Sequence, residues 1–363
     1  MSATSRPILR RLAGRAATLG KRALAVEDAA HLDYWQGREA REARAVIEAR
    51  RPDRALDVTT LRRIRDYAID VLGSPRFAPW LETYTAYRGE FLEGWMPDNY
   101  FLRIVLPTLP GFQEGFDRKT LTRRLMLGTD LLPDRASFVN GTWLDRSGEP
   151  ISEADALELI FEEGDRAVLK HDVSKRGESV VVIRKNDFHP AEHAARGNFV
   201  VQAYIRQHPI LDAYAPSSVA TLRVTTSKHG GTPARLRCAY LRLGRSDKDI
   251  VTSLSAVRVP VAVDGALARD GSLADWTPVT AHPDSGQPFA GVAIPGFLDA
   301  VPKVLALHDR IPHVAHIGWD IAIDAEERPL LMEWNPNHAA IKFSEAANGP
   351  HFRDLGWERL ARR

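Results

Sequence analysis

The sequence is poor in cysteine, in net charge and in long apolar runs. Its 363 residues hold one cysteine, Cys238, which excludes an internal disulfide and any zinc site built from several thiolates. Lys and Arg number 49 against 47 Asp and Glu, a formal net charge of +2, so bulk electrostatics point to no nucleic-acid partner. No apolar run approaches the ~20 residues of a membrane-spanning helix. No GxxxxGK[ST] string occurs, which excludes a P-loop. What is present is a globular composition, 44% hydrophobic and 26% charged, long enough for two or three lobes around a large core. The lone thiol fits a reducing, cytoplasmic compartment.

The first residues are basic. Ile8–Val26 is interrupted by Arg10, Arg11, Arg15, Lys21 and Arg22, so it lacks the apolar heart of a signal peptide. Leu9, Leu12, Ala16, Leu19 and Ala23 recur at helical spacing, with no acid until Glu27. Three readings stand side by side: peripheral contact of Arg6–Arg22 with an anionic membrane, an organelle transit peptide, and a helix packed on its own protein. Asp57 reads as the N-cap of a helix over Val58–Leu72, closed by Gly73-Ser74-Pro75. Trp80, Tyr84, Tyr87, Phe91 and Trp95 fall near helical spacing. A helix face packed on the next lobe explains them better than a ring-stacking surface for a sugar or cofactor.

Breakers cluster at Gly94–Pro97 and Leu106–Gly111, which puts a boundary near residue 110. Beyond it, strands are expected at Ser137–Leu144, Arg166–Asp172, Ser179–Lys185, Asn198–Ile205, Val219–Ser227, Ala234–Gly244 and Val257–Val263. Helices are expected at Glu153–Glu163, capped by Ser152, and at Phe297–Arg310. A helical front, a small mixed lobe and a larger sheet-rich lobe make an α+β chain.

Chemistry concentrates in His316–Pro336. Two apolar strands there flank the turn Ala325–Pro329. Alternation puts Asp320, Ala322 and Asp324 on one face of the first, and Leu331, Glu333 and Asn335 on one face of the second, opposite Leu330, Met332 and Trp334. Asp and Asn are poor strand formers. Brought together, Asp320, Glu333 and Asn335 form the oxygen set that a hard cation such as magnesium takes. Lys170 ends an apolar strand and precedes the loop Asp172–Ser179, a placement from which a lysine reaches phosphates. Val200–Ile205 runs from an apolar strand into a polar segment and can act as a hinge whose backbone reads an adenine edge. Arg223 shares a strand face with Thr221 and Thr225, where it either meets an anion such as Asp320, Glu333 or a phosphate or lies on an exposed edge. His189–His193 spells HxxEH, but the stretch is too short before Gly197 to present both histidines from one helix face. Cys238 alternates with Leu236 and Tyr240, as a buried strand thiol does.

In order and spacing, Lys119, Lys170, Gln202–Ile205, Arg223, Asp320, Glu333 and Asn335 resemble the ATP-grasp superfamily, and its sugar-transfer associated branch above all. The strings that carry the resemblance are Gly94-Trp95-Met96-Pro97-Asp98-Asn99-Tyr100-Phe101, Gln207-His208-Pro209, Ser217–Val224, Gly318-Trp319-Asp320-Ile321-Ala322 and Glu333-Trp334-Asn335-Pro336. The resemblance implies an ATP-grasp fold, two α+β subdomains clasping ATP, behind a helical N-terminal region over residues 1–110. It divides the rest into a small subdomain at 111–200 and a large one at 201–363. It implies Lys119 and Lys170 as phosphate lysines, Gln202, Ala203, Tyr204 and Ile205 as the adenine hinge, and Asp320, Glu333 and Asn335 as ligands of one or two magnesium ions. Arg223 would face the transferred phosphate, and Asn337 with Lys342 would hold an acceptor carboxylate.

The activity so implied is an ATP- and magnesium-dependent ligation of a carboxylate to an amine or sugar-linked acceptor through an acyl phosphate, in polysaccharide or cell-envelope biosynthesis. A kinase using the same cleft is one alternative; a non-catalytic module that binds anionic membranes through Arg6–Arg22 is another. Two segments depart from the expected pattern. His171–Ser179 carries Lys175 and Arg176 where a glycine-rich lid is expected, and Asp249–Ala256 lacks the Asn and paired glycines.

Overall fold

The computed structural model describes residues 31–110, 118–126, 128–172, 180–245, 251, 255–336 and 340–362. The basic stretch Arg6–Arg22, Lys175, Arg176 and Asn337 lie outside the described residues. Among the described residues, no helix is long and apolar enough to cross a membrane.

Residues 31–50 form the first helix. Val58–Asp70 forms the next, begun where the Asp57 carboxylate accepts from the Thr60 amide at 2.7 Å. An N-cap acceptor satisfies an amide that the helix itself cannot. Ala78–Arg88 follows and stops at Gly89, whose φ of +95° suits glycine. The aromatic stripe packs as expected. Trp80, Tyr84 and Trp95 are buried in a core shared with Trp276, Phe343, Phe352 and Trp357 from the far end of the chain. The helical run ends before Trp95, however, so Phe91 and Trp95 reach that core from a loop.

Two antiparallel sheets follow. The first contains β1 (Asp134–Val139), β2 (Thr142–Leu144), β3 (Pro150–Ile151), β4 (Arg166–His171), β5 (Val180–Arg184) and β6 (Phe199–Ala203), in the order β3-β2-β1-β6-β4-β5. The strand region expected at 137–144 is a hairpin, turned through Asn140 and Gly141 at positive φ. Helix Glu153–Ile160, capped by Ser152, covers one face. Burial alternates along β4 accordingly. Ala167 and Leu169 enter the core with Phe199 and Val201, which leaves Val168 and Lys170 on the other face with their ladder partners Gln202 and Val200. Because β6 belongs to this sheet, a division at 200/201 would cut a strand. The chain leaves the first sheet only after Ala203.

The second sheet contains β7 (Thr221–Ser227), β8 (Arg235–Leu243), β9 (Val257–Val261), β10 (Gly271–Ser272), β11 (Pro278–Val279), β12 (His316–Ile323) and β13 (Pro329–Asn335), in the order β11-β10-β9-β8-β7-β12-β13. Every residue of β7 and β12 is buried. Helix Phe297–Asp309 packs on one face, while helix Ile341–Asn348 lies over β8 and β9 on the other, beneath Ala78–Arg88. Gly296 starts the first of these helices at φ +64°, where an added Cβ would meet the Glu327 carbonyl oxygen at 2.2 Å. Only glycine lets the helix begin that close to the β12–β13 turn.

Candidate active site

The hairpin β12–β13 carries the expected oxygen groups, but not by simple alternation. The register pairs Gly318 with Asn335, Trp319 with Trp334 and Asp320 with Glu333, then jumps to Ile321 with Leu331. Met332 is therefore an extra residue, a bulge. It turns Leu331 to the same side as Trp334, into the core with Trp319 and Ile321, and corrects the expected pairing of Leu331 with Glu333 and Asn335. Asp320, Glu333 and Asn335 nevertheless stand together, because all three follow the register on the Asn335 side of the bulge. The bulge has a second consequence: the Met332 carbonyl accepts from Lys170 Nζ at 3.0 Å, a contact that ties the two sheets across the cleft.

Arg223 is buried beside this set. It sits opposite Asp320 in the β7–β12 ladder. Its Nε donates to Asp320 Oδ1 at 2.6 Å and its Nη2 to Oδ2 at 2.9 Å, a two-pronged pair of the strong kind. Arg242 Nη1 lies 3.7 Å from Asp320 Oδ2, and the Asn335 amide is 3.3 Å from the same atom. Burial works against the Asp320 charge, yet Arg223 and Arg242 hold the carboxyl below its ordinary range. Burial likewise opposes the Arg223 guanidinium, and Asp320 more than compensates. Both stay ionised. Of the open alternatives for Arg223, the inward one holds, with Asp320 as its anion.

The lysines come from the first sheet and the segment before it. Lys119 begins helix Lys119–Leu125. The Asp172 carboxylate, two residues beyond Lys170, accepts from the Thr120 amide at 2.8 Å and from its hydroxyl at 2.6 Å. The contact fixes the start of that helix against the end of β4. Lower on the helix, Trp334 Nε1 donates to Thr122 Oγ1 at 2.7 Å. Lys119 Nζ then lies 3.9 Å from Glu333 Oε1. Lys119, Lys170, Gln202 and Glu333 line one cavity. Burial pushes the Lys170 ammonium below the usual lysine value, against the pull of Glu333 and Asp134.

Sequence reasoning missed the floor of this cavity. Asp134, buried, accepts from Gln202 Nε2 at 2.6 Å and lies 3.2 Å from Arg123 Nη1. Burial raises its carboxyl. Its signal was an acid at the head of an apolar strand, the same signal that marked Asp320. Arg242 was missed too, although it alternates with Tyr240 and Cys238 on a strand already recognised.

The expected hinge divides. The Gln202 side chain is held by Asp134, and the Ala203 amide donates to the Pro133 carbonyl at 2.8 Å. Both therefore belong to the first sheet. Tyr204 and Ile205 lie in the irregular segment beyond it, with Arg166 4.0 Å above the Tyr204 ring. Lys342 is not brought to the cleft. Its ammonium pairs with Glu39 at 2.5 Å and lies over the Trp80 ring, so it joins the helical front to the second sheet. His193 of the HxxEH string packs on His171, Phe188 and Phe199 from a helix of one turn or so, Pro190–Ala194. Cys238 is buried, its thiol raised to about 11 by that burial, far from a nucleophile's poise.

Residues 189–356 match the model of the family described as sugar-transfer associated ATP-grasp. No curated protein matches the sequence. Similar solved structures include a biotin carboxylase from Campylobacter jejuni, 11% identical with a TM-score of 0.44, over 67% of this chain and 46% of that one. An N5-carboxyaminoimidazole ribonucleotide synthetase from Thermotoga maritima is 12% identical with a TM-score of 0.35, over 68% and 48%. A D-alanine-D-alanine ligase from Coxiella burnetii is 10% identical with a TM-score of 0.39, over 68% and 57%. The chain spans about half the length of these structures. Over residues 189–356, a little under half of its length, the chain is similar to the sugar-transfer associated ATP-grasp family.

Proposed function

We propose that the protein is an ATP-dependent ligase that activates a carboxylate as an acyl phosphate and passes it to an amine or sugar-linked acceptor, in polysaccharide or cell-envelope biosynthesis. The observation that carries this reading is the convergence of Lys119, Lys170 and Glu333 on one cavity, with Asp320, Asn335 and Arg223 beside it. Lys170 from the first sheet and Lys119 from the helix before it face oxygen donors from the second sheet, as a triphosphate with its counter-ion requires.

The donor set suits magnesium. Asp320, Glu333 and Asn335 offer oxygens only, which hard cations prefer. Among the described residues no group of three His, Cys, Asp or Glu side chains converges as a metal site, so the Asn335 amide oxygen is needed to complete this one. When bound, magnesium would neutralise phosphate charge. Lys119 and Lys170 bind and orient the phosphates. The Lys170 contact with the Met332 carbonyl holds its ammonium at the sheet–sheet junction until a phosphate oxygen replaces that carbonyl. Arg223, held ionised by Asp320, supplies fixed positive charge where the γ-phosphate leaves ADP for the substrate carboxylate. Tyr204 and Ile205 offer the backbone of the adenine hinge, just outside β6. The polysaccharide setting rests on the family match.

The test measures ADP release with magnesium across a panel of carboxylates and amines. Lys170→Ala should weaken nucleotide binding at least tenfold, and Glu333→Ala should abolish turnover. Full activity of the Glu333 variant would defeat the proposal. A stable phosphorylated product without a ligated one would convert it to a kinase.

A further inference from the structure

A second cavity, of about 360 Å³, lies where the helical front meets the edge of the second sheet. It is separate from the cleft: none of its lining residues lines the cavity of the two lysines. Its walls are the end of helix Ala78–Arg88, the end of helix Ile341–Asn348, and β9 with the chain that follows it. Four arginines, Arg51, Arg54, Arg88 and Arg269, line it together with Tyr87 and one acid, Asp270.

Most of these groups have structural partners. Arg54 Nη1 donates to the Arg88 carbonyl at 2.6 Å, and its guanidinium lies across Gly89, where an added Cβ would meet Nη1 at 1.4 Å. Arg88 Nη1 donates to the Ala347 carbonyl at 3.2 Å. Both contacts quiet the carbonyls at a helix end. Arg51 pairs with Asp270 at 3.0 Å. Asp53 and Glu90 touch Arg54 and Arg88 from the solvent side, at 3.4 and 3.6 Å.

Two groups have none. The Tyr87 hydroxyl is buried and finds no hydrogen-bond partner among the described residues. Arg269 makes no ion pair or hydrogen bond among them. A buried hydroxyl without a partner is rare and costly, and a guanidinium on the same cavity adds unmatched positive charge. Within the lining, four cations face one anion. Its volume falls within the ordinary range of small-molecule sites.

We propose that this cavity binds a small molecule bearing a phosphate or carboxylate group. The anion lies against Arg269 and Arg51, and one of its oxygens accepts from the Tyr87 hydroxyl. Guanidinium forks match such oxyanions in shape as well as in charge. The proposal stands apart from the nucleotide reading, since it uses none of the cleft's residues.

Inorganic pyrophosphate and citrate, titrated calorimetrically into the full chain, test it. Three variants are compared with the unaltered protein: Tyr87→Phe, Arg269→Ala, and Lys119→Ala with Lys170→Ala to disable the cleft. Tyr87→Phe and Arg269→Ala remove groups that bond nothing among the described residues, so neither variant should melt below the parent. The expected result is binding of at least one probe, weakened about threefold or more by Tyr87→Phe and about tenfold by Arg269→Ala, and unchanged in the double lysine variant. Binding lost with the lysines and kept without Arg269 would place the anion in the cleft and overturn the proposal. So would binding of neither probe by the unaltered protein.

Discussion

Two buried acid–base pairs sit on the same half of this molecule and behave in opposite ways. At the cleft, Asp320 is lowered and Arg223 raised, so both are charged. Beneath the helical front, Glu345 lies 3.1 Å from His351. There burial drives the carboxyl well above its usual value and the imidazole down to about 3, so both are neutral. Burial is nearly total in each case: the Asp320 side chain is 7% exposed and the Glu345 side chain 0%. The difference lies in the partners. Asp320 has a permanently charged, two-pronged guanidinium, a second arginine and an amide. Glu345 has the Met96 amide at 2.7 Å and an imidazole that can shed its proton, set against the Phe352 ring. Charge is kept where the fold provides a fork that cannot be neutralised, and that is the end of the sheet where a triphosphate would need it.

The comparison breaks most visibly at Arg223. Replacing it with alanine leaves Asp320 charged and buried, and should cost about 3–5 kcal/mol of stability in urea unfolding. Arg223→Met combined with Asp320→Leu should return most of that loss while leaving no activity. If the single variant were as stable as the parent, the pair would not be the buried ionic contact described here. Glu345→Gln, by contrast, should change stability little at pH 5, because that side chain is already uncharged.

The neutral pair has its own signature in pH. Glu345 has a raised folded-state value, so its contribution is full below the unfolded value near 4.5 and is lost as pH rises. His351 has a lowered one, so its contribution is present above the unfolded value near 6.5 and is lost as pH falls toward about 3. Between these unfolded values the two slopes oppose each other in the parent. Glu345→Gln removes one of them. That variant should therefore gain stability over the parent at pH 8 relative to pH 5. It should also show a decline of up to ~1.4 kcal/mol per pH unit below pH 6.5 from His351 alone. Parallel curves for parent and variant would mean that Glu345 titrates normally.

The charged pair could be anticipated from the sequence, and the neutral one could not. Arg223 alternated on an apolar strand with Asp320 among the named partners, and period-two reasoning is enough to bring them together. The strands themselves were legible for the same reason, as were the caps at Asp57 and Ser152, where the signal is local. The bulge at Met332 was not. It carries no glycine or proline, and its cause is tertiary: Trp334 and Leu331 both take places in the core. Lys342 read as a cleft residue because it follows Asn335 closely in sequence. Its actual partner, Glu39, is 303 positions away, and nothing local records such a contact. Nothing in the sequence around Glu345 and His351 marks them as a buried pair. The Glu345 carbonyl accepts from Trp95 Nε1 and its carboxyl from the Met96 amide, contacts about 250 positions away that alternation cannot see.

The smallest expected effect concerns how the cleft's cations are held. Helix Lys119–Leu125 is only two turns long and would not be stable alone, so the position of Lys119 depends on its anchors. Asp172 fixes its first turn, and Trp334 fixes Thr122. Thr122→Val keeps the shape but removes the Thr122 acceptor of the indole N–H, at a cost of about 1 kcal/mol. Trp334 lies next to Glu333, so the same change loosens the lysine and its acid together. Nucleotide affinity should therefore fall a few-fold, while Tm drops by only a few degrees. Asp172→Asn keeps one acceptor for the Thr120 amide and should show a milder version of the same pattern. If Thr122→Val lowers Tm without touching nucleotide affinity, the helix does not position Lys119. The ionised end of the sheet would then be organised by Asp320 and Arg223 alone.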